Sequence, residues 1–161
     1  MESEFDTTVT DATGSVLGGV QDGNRLASVP EFQIAATGRW YFPFGRSTGF
    51  LSGSVDHVGD RITQPSDQAP GAGVFTSGLP YAGATGDEVT NLDLILDPYT
   101  IVNLSAGLEW ERWSATLYVH NVGDENADLS FDRERGGRAR LSFRTNEPRT
   151  VGVVVRASFG E

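Results

Sequence analysis

The chain has 161 residues, of which 38% are hydrophobic and 20 are glycine, and its formal net charge is −10. An acidic chain without a basic patch is a poor candidate for a nucleic-acid partner, because contacts to phosphate dominate that affinity. The lack of cysteine excludes disulfides, thiolate metal sites and cysteine nucleophiles. No apolar run approaches the roughly eighteen residues that a spanning helix needs. The strands of a membrane barrel alternate, however, and never form such a run.

The first half of the chain predicts two strands joined by a short turn. Residues 1–28 are a short charged stretch followed by a polar, glycine-rich loop. From Phe32 to Phe44 apolar and polar residues alternate, and one face carries Phe32, Ile34, Ala36, Gly38, Trp40 and Phe42. We expect Pro43 to break this strand at a turn, because proline lacks the hydrogen-bond donor of a ladder. A second strand is expected from Phe50 to Arg61.

Three further strands are expected in the second half of the chain. Tyr99 to Trp110 and Trp113 to Asn121 form a hairpin across the tight turn Glu111-Arg112, and Arg149 to Phe159 is the final strand. Along the middle strand one face carries Trp113, Ala115, Leu117 and Val119. Because successive side chains of a strand point to opposite faces, this alternation predicts a sheet with one apolar and one wet surface.

The connections between the predicted strands alternate in length. Thr63 to Pro98 and Gly123 to Pro148 are long and are expected to be irregular, whereas the turns near Gly45 and Glu111 are short. Outer-membrane barrels have short periplasmic turns and long extracellular loops. The sequence therefore predicts an all-β antiparallel meander of five or six strands that is a segment of a transmembrane barrel, with both short turns on the periplasmic side.

Several short motifs stand at the ends of the predicted strands. Ser28-Val29-Pro30-Glu31-Phe32 precedes the first strand, and Val58-Gly59-Asp60-Arg61 ends the second. The segments Leu117 to Asp124 (LYVHNVGD) and Glu147 to Phe159 cover the last two strands. These motifs resemble the C-terminal part of the TonB-dependent outer-membrane receptors, and the last two segments resemble the penultimate-strand motif and the closing strand of that family. The resemblance covers nearly the whole of residues 1–161, and its last sixty or so residues are the most specific part.

The resemblance implies a barrel of about 22 strands, filled by an N-terminal plug, that takes up a scarce nutrient such as siderophore-bound iron, cobalamin or a carbohydrate. The implied partners are outer-membrane lipid, the rest of the barrel and plug, the barrel-assembly machinery and the TonB energy-coupling complex. The sequence shows no plug or coupling box, and Met1 leads directly into charged residues without a signal peptide. We therefore expect a receptor fragment of the Gram-negative outer membrane that is not transport-competent alone.

The candidate site residues follow from this barrel interpretation. The expected lumen-facing side chains are Arg39, Tyr41, Asn103, Glu109, Tyr118 and Arg156. The expected girdle and assembly aromatics are Trp110, Trp113 and Phe159, because interfacial aromatics flank the apolar band of a barrel. The terminal aromatic is also the element that, by resemblance, the assembly machinery recognises.

No catalytic site, cofactor or metal is expected, so the chain is predicted not to be an enzyme. His57 and His120 each stand alone without a second ligand at metal-binding spacing. The acidic residues between Asp87 and Asp97 do not fit a calcium loop. The arginines between Arg133 and Arg144 could meet phosphate groups, but interleaved acidic residues favour an ordinary charged surface.

A soluble β-sandwich that binds carbohydrate is the alternative. It would bury the side chains of Leu104, Leu108, Leu117 and Val153 in one core between two sheets. A barrel segment would instead leave them as an exposed outer band and would have two unpaired edge strands. A small barrel assembled from several copies is a third possibility.

Overall fold

A computed structural model describes residues 3–76, 87–133 and 141–159 of the chain, and they form an all-β structure, as predicted. The elements in chain order are β1 (Gln33–Phe44), β2 (Ser47–Val58), β3 (Arg61–Ile62), a 3-10 helix (Pro65–Gln68), β4 (Val74–Thr76), β5 (Val89–Asn91), β6 (Ile95–Leu96), β7 (Tyr99–Glu109), β8 (Trp113–His120), β9 (Asp128–Arg133), β10 (Leu141–Thr145) and β11 (Thr150–Ala157). In this part of the chain no helix has the length and apolar character needed to cross a membrane.

The five long strands form one antiparallel sheet in the order β1-β2-β7-β8-β11. Each of these strands pairs with the previous long strand of the chain, so the predicted antiparallel meander is confirmed. The sheet is open: within the ranges given above, β1 and β11 each have a single strand neighbour. The described strands therefore do not close a barrel.

The turn between β1 and β2 is shorter than predicted. Pro43 pairs with Thr48 and Phe44 pairs with Ser47, so the prediction that Pro43 breaks the strand is wrong. Proline is tolerated here because β1 is an edge strand, whose outward side needs no ladder donor. The two-residue turn is Gly45-Arg46, and Gly45 has the positive φ of 62° that glycine adopts without strain.

The strand register gives the sheet one apolar face and one polar face. Directly paired residues of an antiparallel sheet point to the same side, so the pairs can be followed across all five strands. One row on the apolar face is Trp40, Leu51, Ala106, Leu117 and Val153. The neighbouring row on the polar face is Arg39, Ser52, Ser105, Tyr118 and Gly152. The alternation predicted from the sequence is confirmed.

The chain divides into two compact units. The sheet unit comprises Gln33–Val58, Tyr99–Asn126 and Asn146–Glu161, and it contains the five long strands. The loop unit comprises Met1–Phe32, Gly59–Pro98 and Ala127–Thr145, and it contains the six short strands. That residues 1–161 are one part of a single barrel stays a prediction.

The long connections carry regular structure, contrary to the expectation that they would be irregular. In the loop unit β3 pairs with β6, β4 with β5 and β9 with β10, all antiparallel. Leu94, Leu96 and Phe131 form a small buried core, with Ala72 and Leu92 packed against it. Strands of two to six residues are too short to show a hydrophobic period, so the sequence pattern could not reveal them.

An ion pair joins the N-terminal segment of the loop unit to the motif Val58-Gly59-Asp60-Arg61. The Arg25 guanidinium donates to the Asp60 carboxylate at 2.6 Å and to the Asp60 carbonyl at 2.7 Å. The Gly59 N–H donates to the Phe32 carbonyl oxygen at 2.8 Å, and a Cβ on Gly59 would lie 3.0 Å from that oxygen. The motif Val58-Gly59-Asp60-Arg61 therefore ends β2 at Val58, three residues earlier than predicted, and ties the N-terminal segment to β3.

Candidate functional site

All six side chains that were predicted to line a lumen lie on the polar face of the sheet. Pairing places Arg39, Tyr41, Asn103, Glu109, Tyr118 and Arg156 there. The charged residues of the five long strands all lie on this same face, and they are Arg39, Asp56, Glu109 and Arg156. The residues thus share a surface, and whether that surface faces a lumen stays a prediction.

Arg39 is held over two aromatic rings of the polar face. Its guanidinium carbon lies 4.5 Å from the centre of the Phe50 ring, and its Nη1 donates to the Tyr41 hydroxyl at 3.2 Å. Phe50 is only 4% exposed because its ring lies over Gly107, where an added Cβ would come within 2.5 Å of the ring. A glycine on β7 therefore makes room for the ring that positions the arginine.

Tyr118 repeats this arrangement on the neighbouring pair of strands. Its ring covers Gly152 of β11, where an added Cβ would lie 2.5 Å from the Tyr118 Cζ atom. Its other neighbour is His120, whose ring centre lies 4.7 Å from that of Tyr118 with the planes tilted by 36°. The two rings form an aromatic group along β8 on the polar face.

A recess of about 530 Å³ opens on the polar face. Small polar side chains of β2 and β7 form part of its lining, namely Ser52, Ser54, Asn103 and Ser105. In the cross-strand pairing Ser52 is adjacent to Arg39 and Ser105 is adjacent to Tyr118. The recess is therefore a trough of small residues between larger ones.

Asn121 is the centre of a hydrogen-bond network at the end of β8. It is 3% exposed, has a positive φ of 51°, and accepts at Oδ1 from the Glu125 N–H at 2.9 Å. Its Nδ2 donates to the carbonyls of Glu125 and Glu147 at 2.8 and 3.0 Å. Its own N–H donates to the Asn103 side-chain oxygen at 2.9 Å. The network joins the end of β8 to the segment that enters β11 and fixes Asn103 in the wall of the recess.

The predicted girdle aromatics meet at the opposite, short-turn end of the sheet. Trp110 and Trp113 stack with ring centres 3.7 Å apart and planes within 9°, and the Trp110 N–H donates to the Trp113 carbonyl at 2.8 Å. The Ser158 N–H donates to the Arg112 carbonyl at 2.8 Å, which brings Phe159 to this end. Phe159 is 97% exposed. Their position at a membrane interface stays a prediction.

The apolar face is exposed across all five strands. Leu104, Leu117 and Val153, which a sandwich would bury, are 50%, 52% and 65% exposed, while Leu108 is half-buried. Other large hydrophobic residues exposed on this face are Ile34, Trp40, Phe44, Leu51, Trp113, Val151 and Val155. No charged residue of the five strands lies on this face, because all of their charges lie on the other one.

The remaining sequence candidates lie away from the recess or outside the described ranges. Glu109 and Arg156 both pair with Ser114 near the short-turn end. Of the acidic residues between Asp87 and Asp97, Asp93 accepts from the Ile95 N–H at 3.0 Å. The described part of the chain contains no group of three potential metal ligands. Residues 134–140, with most of the arginine run, lie outside the described residues.

Sequence reasoning missed three residues that shape the polar face: Phe50, Gly107 and Asn121. Phe50 is an aromatic residue at a position of β2 that the alternation assigns to the polar face, and this mismatch was the available signal. Gly107 has meaning only through the register that puts it beneath Phe50. Asn121 was quoted as part of a motif without a role, and its role depends on contacts with residues up to 26 positions away.

Comparison with known proteins gives no further assignment. A scan against protein-family models, a search of curated proteins and a search of solved structures each found no match. That the chain is part of a TonB-dependent receptor therefore stays a prediction from the sequence.

Proposed function

We propose that this chain is part of the wall of a TonB-dependent receptor, a barrel of about 22 strands in the Gram-negative outer membrane that takes up a scarce nutrient. The apolar face would contact lipid, and the polar face would line the lumen. The five long strands of the main sheet are fewer than the eight of the smallest outer-membrane barrels. Transport therefore requires further strands and a plug, and the chain alone is not transport-competent.

The observation that carries this proposal is the exposed, uncharged apolar face. Burying apolar surface is the main driving force for folding in water, so a soluble sheet hides such a face against a second layer. Here Leu104, Leu117 and Val153 are each at least half exposed. That exposure argues against a sandwich, whose core would contain these side chains, and favours an environment of lipid chains.

The lengths of three of the five long strands give independent support. A membrane-spanning β-strand needs about 9–11 residues when it is tilted. β1 and β2 have 12 residues and β7 has 11, while β8 and β11 have 8. The short turns after β1 and β7 and the longer segments after β2 and β8 also match the loop asymmetry of these barrels.

The proposal is tested by the behaviour of the full chain with and without detergent. We expect the purified chain to aggregate in buffer and to become monodisperse in a detergent such as lauryldimethylamine oxide, as judged by size-exclusion chromatography with light scattering. The triple substitution Leu104→Ser, Leu117→Ser and Val153→Ser should reduce the dependence on detergent. A monodisperse monomer in plain buffer contradicts the proposal.

A matched control triple lies on the same three strands but on the polar face. It is Ser105→Ala, Thr116→Ala and Val154→Ala, three residues whose pairing partners all belong to that face. The control should leave the dependence on detergent unchanged. Equal effects of the two triple substitutions would mean that the need for detergent reflects the general stability of the chain and not the exposure of one face of the sheet.

A further inference from the structure

The recess on the polar face has a lining rich in neutral hydrogen-bonding groups. Hydroxyl groups come from Thr37, Ser52, Ser54 and Ser105 on three adjacent strands, and an amide comes from Asn103. The hydroxyls of Thr37, Ser52 and Ser105 make no hydrogen bond to another residue of the described chain. Each hydroxyl can donate once and accept twice, so these groups can bind a ligand at no cost to the fold.

Other groups of the lining are fixed in place by the fold. The Asn103 side chain donates to the Ser54 hydroxyl oxygen at 3.2 Å and accepts from the Asn121 N–H at 2.9 Å. Both contacts orient the amide and the Ser54 hydroxyl. A preformed lining loses little conformational entropy when a ligand binds, which favours affinity.

The sides of the recess differ from its serine-rich lining. His120 belongs to the lining, and its ring contacts that of Tyr118, which lies over Gly152 outside the lining. On the other side Arg39 pairs with Ser52, but its guanidinium is held over Phe50. The His120 ring offers a flat apolar face with polar nitrogen atoms at its edge, and it lies beside the serine hydroxyl groups of the lining.

The charge around the recess selects against anions. Glu147 is the one residue with a formal charge at neutral pH in the described lining. The cationic group nearest in the pairing, Arg39, is already engaged by two rings and the Tyr41 hydroxyl. A ligand suited to this surface therefore forms many neutral hydrogen bonds and has an apolar face for the His120 ring.

We propose that this recess is a binding subsite for a neutral, polyhydroxylated ligand, namely a sugar ring of an oligosaccharide. A pyranose ring has hydroxyl groups at its edge, for the serines and Asn103, and C–H groups on its faces, for the His120 ring. The volume of about 530 Å³ lies within the roughly 300–1,000 Å³ of small-molecule sites. The inference rests on the proposed function in taking the polar face as the wall of the uptake path.

The test uses the full chain in lauryldimethylamine oxide micelles, since maltoside detergents carry a sugar headgroup. Amide chemical shifts are followed by NMR during titration with maltoheptaose, cellohexaose and xylohexaose, and with trigalacturonic acid as the anionic comparison. We expect at least one neutral sugar to give saturable shifts at Ser52, Ser105 and His120, and the anionic sugar to give none. No saturable shift with any neutral sugar, or equal shifts with the anionic sugar, overturns the proposal.

Two matched serine variants separate the recess from the rest of the polar face. Ser105→Ala removes a hydroxyl of the lining, and Ser114→Ala removes one near the short-turn end, where it pairs with Glu109. Loss of one ligand hydrogen bond should weaken binding about three- to tenfold in Ser105→Ala. The affinity of Ser114→Ala should stay at the wild-type value, and equal weakening in the two variants contradicts the assignment.

The result is distinguishable from a failure of the proposed function. If the chain needs detergent but does not bind neutral sugars, the barrel proposal stands and the sugar subsite is contradicted. If the chain is a monodisperse monomer in buffer, the barrel proposal is contradicted, whether or not the chain binds sugars.

Discussion

The sheet unit and the loop unit differ in where they bury hydrophobic residues. The loop unit buries a small core of Leu94, Leu96 and Phe131, as an ordinary soluble domain does. The sheet unit exposes most of its large hydrophobic residues on one face, and its buried hydrophobic residues among those described, Phe50 and Val58, belong to the other, polar face. The apolar face of the sheet unit thus has no buried core of its own.

Different interactions therefore stabilise the two units. In the loop unit the apolar core, the Arg25–Asp60 ion pair and short strand pairs act together. In the sheet unit the ladders are complemented by rings packed over glycines on the polar face. An apolar medium would then supply the burial that the apolar face lacks in water. The four predictions below test this contrast, beginning with the largest expected effect.

Removing the largest core side chain should destabilise the loop unit. Phe131→Ala should lower the free energy of opening of this unit by about 3–5 kcal/mol, because a buried phenylalanine leaves a cavity when truncated. Amide hydrogen exchange of β6 and β9 measures this. The control Phe143→Ala changes an exposed ring that contacts Phe131 edge-on and should cost much less. Equal costs would mean that Phe131 is not the centre of a core.

A charge on the apolar face should be costly only if lipid or detergent covers it. Leu117→Arg should lower the free energy of unfolding in lipid by about 2–4 kcal/mol, as arginine does on the lipid side of a barrel strand. The next residue provides the control, since Thr116→Arg places the same charge on the polar face. Urea unfolding in phospholipid vesicles measures both. Nearly equal, small effects would show that the apolar face is not in contact with lipid.

Filling the space beneath Phe50 should weaken the sheet. In Gly107→Ala the new methyl group would meet the Phe50 ring at 2.5 Å and the Ala115 carbonyl at 2.7 Å, so ring or strand must shift. We expect a loss of about 1–3 kcal/mol in the free energy of unfolding, which is typical of overpacking. Gly38→Ala is the control, because a Cβ there meets nothing within 4 Å. A larger loss in the control would contradict this packing.

The smallest effect concerns the pH response of the loop unit. The Thr13 hydroxyl, followed by the backbone N–H groups of Ser15 and Thr13, holds the pKa of the Asp11 carboxyl below its usual value of 3.8. A lowered folded pKa stabilises the turn above pH 3.8, and that stability is lost as the pH falls through the folded pKa. Thr13→Val should raise the pKa of Asp11 towards 3.8 in an NMR titration. An unchanged pKa would show that this hydroxyl is not the main cause.

The sequence predicted the sheet well because its strands are long and have one apolar and one polar face. Alternation over eight or more residues predicted the five strands and both faces, and the predicted tight turn at Glu111-Arg112 is closed by the hydrogen bond from the Trp110 N–H to the Trp113 carbonyl. The same reasoning failed at Pro43, because whether proline breaks a strand depends on which strand lies at the sheet edge. Edge position is a property of the assembled sheet.

The loop unit and the recess could not be predicted in the same way. The Arg25–Asp60 pair joins residues 35 positions apart, and β3 pairs with β6 across a long segment of low periodicity. The recess exists because the register brings Ser52 next to Ser105, with Arg39 and Tyr118 beyond them. Each of these strands was predicted, and the turn at Glu111-Arg112 fixed the alignment of β7 with β8, but the alignments of β1 with β2 and of β2 with β7 were not predicted.

The most direct test of the central claim is a spin-label scan of β7 in lipid vesicles. The chain has no cysteine, so single-cysteine variants from Ile101 to Leu108 need no background substitution. We predict that collision with oxygen, which concentrates in lipid, peaks at Val102, Leu104, Ala106 and Leu108. Collision with a polar nickel chelate should peak at the residues between them. Low accessibility of the first set to both reagents, or the same accessibility on both faces, would contradict a sheet that separates lipid from water.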